Sequence, residues 1–89
     1  MSKHSETAQE IRTILAREFS PSRLELIDES HLHAGHAGAR AGGGHFRLEI
    51  ASLRFEGKSP LERQRMVFAA LGGLMEGRIH ALSMRCQEK

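Results

Sequence analysis

Apolar residues along this chain recur in two periods, and the switches between them mark out five elements. Ala8, Ile11, Leu15 and Phe19 fall at helical spacing, with Ile14 beside the stripe, which predicts an amphipathic helix over 6–19. Ser5 stands as its N-cap and Glu6 lies in the first turn, where the helix dipole favours a carboxylate. Ser20-Pro21-Ser22 closes it. Leu24, Leu26 and, less regularly, Ile27 predict a short strand over 23–28. Residues 29–44 carry five of the nine glycines and read as a flexible loop. Phe46, Leu48 and Ile50 then alternate with Arg47 and Glu49, the period of a half-buried strand. Two strands joined by such a loop are most simply antiparallel.

After a turn at Arg54–Lys58, Ser59-Pro60-Leu61-Glu62 has capping-box spacing with proline at the first helical position. Leu61, Phe68, Leu71 and Met75 give that helix an apolar stripe, backed by Val67 and Leu74. Gly72-Gly73 weakens its last turn and Gly77 terminates it. Ile79 to Met84 form a last strand, and residues 1–5 and 86–89 are expected to fray. The order helix, strand, strand, helix, strand predicts a single α/β (α+β) domain over 1–89, a three-stranded sheet with both helices on one face.

Composition narrows the function. A chain of 89 residues buries only about 60–65% of its unfolded surface, which leaves little interior for a deep substrate pocket. It has no Trp or Tyr and four Phe, so bases would find few rings to stack on. The net charge of +2 permits contact with nucleic acid without demanding it. Cys86 stands alone, which excludes an internal disulfide and any metal site built from cysteines of one chain. No apolar run approaches the roughly 20 residues of a membrane span. The polar start Met1–Glu6 resembles neither a secretion signal nor a transit peptide, and the expected location is cytoplasmic.

Histidine is over-represented for a chain of this size. Of six, His31, His33, His36 and His45 lie in or beside the glycine-rich loop, and imidazole is a common ligand for zinc, copper and iron. The competing reading is that they are solvated loop residues. His80 opens an otherwise apolar strand; if Leu82 and Met84 face the core, His80 points the same way near the strand end. A partly buried histidine bonded to a backbone carbonyl would look the same. Arg54, Lys58, Arg63 and Arg65 cluster at the head of the second helix and could grip phosphate, although a solvated helix face has the same pattern. Catalytic constellations are thin. Neither a Gly-x-Ser-x-Gly elbow nor a P-loop is present, and Gly42-Gly43-Gly44 precedes a strand rather than a helix. Asp28 and Glu29 have no partner acid, and nothing orients Cys86 as a nucleophile, so an enzyme is not expected.

Together, the segments resemble the BolA family. The matching pieces are Asp28-Glu29-Ser30 with His33 three beyond, His45-Phe46-Arg47, Arg54-Phe55-Glu56-Gly57, Arg63-x-Arg65-Met66-Val67 and Ile79-His80-Ala81-Leu82-Ser83. They follow in the family's order over roughly residues 8–86. The resemblance implies a class II KH-like fold and a partner, a monothiol glutaredoxin. It implies a 2Fe–2S cluster shared with that glutaredoxin and glutathione, and none in the isolated chain, which would be a monomer or weak homodimer. The family's fixed ligand falls on His80. Its variable loop ligand, Cys or His, falls on His33, with His31 and His36 as alternatives. Imidazole in place of thiolate leaves a cluster less negative and raises its potential. Family members are also described as DNA-binding transcription regulators, and Lys58, Arg63 and Arg65 are the residues such a role would use. Against it, Gly57 has no second glycine at the spacing of a KH clamp. Gln64 stands where the family often has histidine, so a role resting on that histidine does not carry over.

Overall fold

A computed structural model describes residues 3–30 and 43–89. Helix α1 spans Lys3–Phe19, strand β1 Arg23–Asp28, strand β2 Gly44–Ala51, helix α2 Pro60–Leu71 and strand β3 Ile79–Gln87, with 3-10 turns at Leu53–Phe55 and Gly72–Met75. The strands form one sheet in the order β1-β2-β3. β1 pairs antiparallel with β2, as the sequence leads one to expect. β2 pairs parallel with β3, and the crossover that a parallel pair needs is supplied by α2.

One face of the sheet is covered. Phe46, Leu48 and Ile50 of β2 are at most 2% exposed. They share a buried cluster with Ile11 and Leu15 of α1 and Val67 and Leu71 of α2, so both helices pack on that face. Phe55, carried by the turn after β2, is wholly buried and lies 5.0 Å from the Phe19 ring, centroid to centroid. The other face presents the charged side chains Arg47, Glu49 and Arg85.

Several junctions are fixed by side chains reaching across the chain. Ser52 Oγ donates to the Phe19 carbonyl at 2.6 Å and accepts from the Arg54 amide, tying the end of β2 to the end of α1. Arg12 donates to the Leu26 carbonyl, and Arg78 reaches Thr7 and Glu10, so α1 is anchored to both edge strands. The capping box ahead of α2 is complete: Glu62 N donates to Ser59 Oγ, and Ser59 N donates to the Glu62 carboxylate at 2.8 Å. Those bonds from Ser59 hold the Glu62 carboxyl below its ordinary range.

Four expectations need correction. α1 already includes Lys3 and His4, so Ser5 sits inside the helix rather than capping it. The buried stripe of α2 is rotated: Val67 and Leu71 are core, Leu61 is 53% exposed, and Phe68 stays outside the buried cluster. The tail is not frayed from Cys86, since β3 runs to Gln87 and Ser52 N donates to the Gln87 carbonyl. The last strand also does not keep one phase, for the reason given next.

Candidate functional site

The site is built where β1 ends and where β2 and β3 begin. Asp28 Oδ1 accepts from the Ser30 amide at 2.9 Å, a tight turn that swings Ser30 back towards β2. Ser30 Oγ then accepts from His45 N at 3.1 Å, and Glu29 N donates to the His45 carbonyl at 2.8 Å. The Glu29 carboxylate pairs with Arg47 at 3.2 Å. Both backbone groups of His45 are therefore held, which fixes the point at which β2 starts.

Across from it, the ladder slips by one residue. Gly44 faces Ile79, but His45 faces Ala81, so His80 is the extra residue of a bulge. The bulge resets the alternation of β3. Ile79 is buried, Leu82, Met84 and Cys86 are half-buried on the core side, and His80 is exposed. His80 does not face the core with Leu82 and Met84, as unbroken alternation would require.

The exposed His80 ring rests against the buried His45 ring, with centroids 4.9 Å apart and planes at 42°. Gly43 packs directly against the His80 backbone and Cβ. A Cβ on Gly43 would lie 2.6 Å from His80 Cβ, closer than real Cβ atoms come, and a tight 3.1 Å from His80 N. Only glycine fits there. Gly43→Ala is expected to push His80 off its seat, at a cost of about 1–3 kcal/mol for overpacking against backbone. Urea unfolding of the variant, together with the chemical shift of the His80 ring protons, checks this; an unchanged ring environment would mean that the contact does not position it.

The sequence places His45 only among the histidines in or beside the loop and does not pair it with His80. No local signal pairs the two: His45 faces Ala81 across the ladder, and the extra residue of the bulge is what sets the His80 ring against it. His4 is a third imidazole in this region, its buried Nδ1 3.0 Å from where a Gly44 Cβ would stand. Among the described residues no three His, Cys, Asp or Glu side chains group closely enough to hold a metal ion. His31, His33 and His36 lie outside the described residues. Of the described residues that flank 31–42, Ser30 is bonded to His45 and Gly43 packs against His80.

The other candidate residues are scattered. Arg63 is only 15% exposed and donates to the Lys58 carbonyl, the Cys86 carbonyl and the Glu88 carboxylate at 2.8–3.1 Å. It latches the head of α2 to the end of β3, which is why that end is ordered, and its donors are turned onto its own chain. Lys58 and Arg65 remain exposed. Cys86 is half-buried, and burial pushes its thiol up, with Arg63 opposing weakly. The thiol form is a poor nucleophile and a poor metal ligand. Among the described residues no helix is long and apolar enough to cross a membrane.

The fold and sequence have clear relatives. A sequence profile for "BolA-like protein" matches residues 15–89. BolA-like protein 1 of Homo sapiens is 46% identical over 77 residues, covering 86% of this chain and 54% of the human one. SufE-like protein 1 of Arabidopsis thaliana is 40% identical over 79 residues, which is 83% of this chain and 21% of that protein. The solved BolA domain of SufE1 from Arabidopsis thaliana superposes with a TM-score of 0.80 at 36% identity, covering 91% of this chain and 90% of that one. The solution structure of BolA1 from Mus musculus gives 0.75 at 41% identity, over 92% of this chain and 64% of the other. The chain spans about half the length of the BolA-like protein 1 sequences it matches.

Proposed function

We propose, for a chain that belongs to the BolA-like protein family, an interaction protein that completes a 2Fe–2S cluster begun by a monothiol glutaredoxin and glutathione, in iron–sulfur trafficking or iron regulation. The observation that carries the reading is the placement of His80. Its ring is exposed on a bulge, braced by His45 and by the bare backbone of Gly43. An exposed, braced imidazole at the rim of a small domain suits a ligand offered outwards to another protein better than a catalytic base.

The donor set fits a shared centre. Imidazole nitrogen is an accepted ligand of 2Fe–2S iron, and such a cluster needs four protein or peptide ligands. This chain contributes His80 and one of His33, His31 or His36; thiolates from the partner and glutathione make up the rest. The cluster would supply the redox and iron chemistry. The chain's own part is to hold the His80 ring in one orientation, with His45 as the supporting ring and Ser30 fixing where the second histidine's segment leaves the fold.

Co-expression with a monothiol glutaredoxin tests this. The two chains are expected to elute together as a red-brown complex with visible absorption, and this chain alone is expected to be colourless. Separate elution, or a complex without visible bands, would defeat the reading. The DNA-binding alternative is left with Lys58 and Arg65 alone, since Arg63 is spent on internal bonds.

A further inference from the structure

With the strands in the order β1-β2-β3, β3 is an edge of the sheet. A strand turns the N–H and C=O of alternate residues to its neighbour and those of the others away from it. Gly44 N donates to the Arg78 carbonyl and Ser52 N to the Gln87 carbonyl. Carried along the register, those bonds give the backbone groups of Ala81, Ser83, Arg85 and Gln87 to β2. The backbone groups of Leu82, Met84 and Cys86 are therefore turned to the free edge. The Arg63 guanidinium meets the Cys86 carbonyl there, as this phase requires.

The two edges are guarded unequally. On β1 the Arg12 guanidinium takes the Leu26 carbonyl, in the middle of the strand. On β3 the bulge at His80 interrupts one end and Arg63 covers the other. Between them the N–H and C=O of Leu82 and Met84 meet no partner among the described residues. Such a row of open backbone groups is a template for another strand.

The open stretch is self-complementary about Ser83. Leu82 and Met84 flank Ser83 half-buried on the core side, and Ala81 and Arg85 flank it exposed on the other face. From this pattern we infer that β3 seats a second copy of this chain, antiparallel, with a two-fold axis at Ser83. Leu82 of each copy then stands opposite Met84 of the other, and each such pair exchanges both of its N–H···O bonds. Their apolar side chains meet on the core side. Ala81 lies opposite Arg85 on the other face, so no like charges are opposed. The bulge of each copy falls opposite the Arg63 clamp of the other, so neither obstructs the pairing. Leu61, 53% exposed, lines a groove with Pro60, Gln64, Met84 and Cys86. Leu82 of the second copy enters beside Met84, at that groove, and covers it. A foreign strand would find a stretch too short to read; a second copy brings the same short stretch with the same stops at matched places. The inference rests on strand geometry and not on the cluster reading.

The test is sedimentation of the full chain, with amide shifts followed over the same range. The mass is expected to rise from one chain towards two between about 20 µM and about 2 mM, as suits a small interface, with concentration-dependent shifts at Leu82 and Met84. Ser83→Lys and Ser83→Glu, at an exposed position, each set like charges face to face across the axis. Each alone should weaken the dimer about fivefold, and an equimolar mixture of the two should restore it. Met84→Pro removes an N–H that only the second copy uses, and an edge strand tolerates it there, so a folded single chain is expected at every concentration. A chain that stays single at about 2 mM, a dimer whose shifts lie elsewhere, or a Ser83→Lys and Ser83→Glu mixture that associates no better than either alone would overturn the inference.

Discussion

His80→Ala is expected to bleach the complex with glutaredoxin, lowering its iron content by at least about tenfold, while this chain keeps its fold. The two halves of that result come from one fact. His80 is exposed, so truncating its ring removes little packing, and a change in stability within about 0.5 kcal/mol is expected from urea unfolding. On the proposed reading the cluster, by contrast, loses its ligand from β3, and His45, buried behind it, is not placed to take over. His80→Cys supplies a thiolate at the same place and should restore colour with a shifted spectrum and a lower potential. His45→Ala should act more mildly, since it removes the brace and not the ligand. A His80→Ala complex with wild-type iron and an unchanged spectrum would show that the metal is held elsewhere.

Phe55→Ala should have the largest effect on stability, about 3–5 kcal/mol. The ring is wholly buried and packs on Phe19, so its loss leaves a cavity that the short turn carrying it cannot collapse to fill. A domain of this size has about 5–13 kcal/mol of stability in total at roughly 0.05–0.15 kcal/mol per residue. The variant should therefore melt about 12–40 °C lower, at about 4–8 °C per kcal/mol, as differential scanning calorimetry would record. Phe55→Leu keeps most of the volume and should cost much less. A loss below about 1 kcal/mol for the alanine variant would mean that the turn rides on the core rather than closing it.

How much of this was legible beforehand depended on whether the deciding interaction was local. Arg23–Asp28 could be read as a strand and Ser59–Glu62 as a helix start, because alternation and capping are written in neighbouring residues. The phase of α2 was not: Leu61 and Val67 both sit on plausible stripes, and only the position of the sheet decides that Val67 goes inwards. The order of the end of β3 rests on Arg63, whose bonds to Cys86 and Glu88 span more than twenty residues. For the candidate site, His80 could be named from the family resemblance, but its outward aim could not. The bulge that turns it out is a mismatch between two strands, and neither strand shows it alone. The contact of His45 with His80 was hidden for the same reason, since it is set by a parallel pairing that the sequence does not declare.

The clasp between Ser30 Oγ and His45 N has a consequence for how such a domain can change. It joins the two ends of the intervening segment at one point, and the ladder from Asp28–Phe46 onwards is complete without any residue between them. Closing a segment costs free energy only with the logarithm of its length, about 0.6 kcal/mol for each doubling. Insertions and deletions between Ser30 and Gly43 are thus expected to leave the β1–β2 ladder intact. On the proposed reading, the donor supplied from 31–42 can then change in kind while the strands that hold His80 stay as they are.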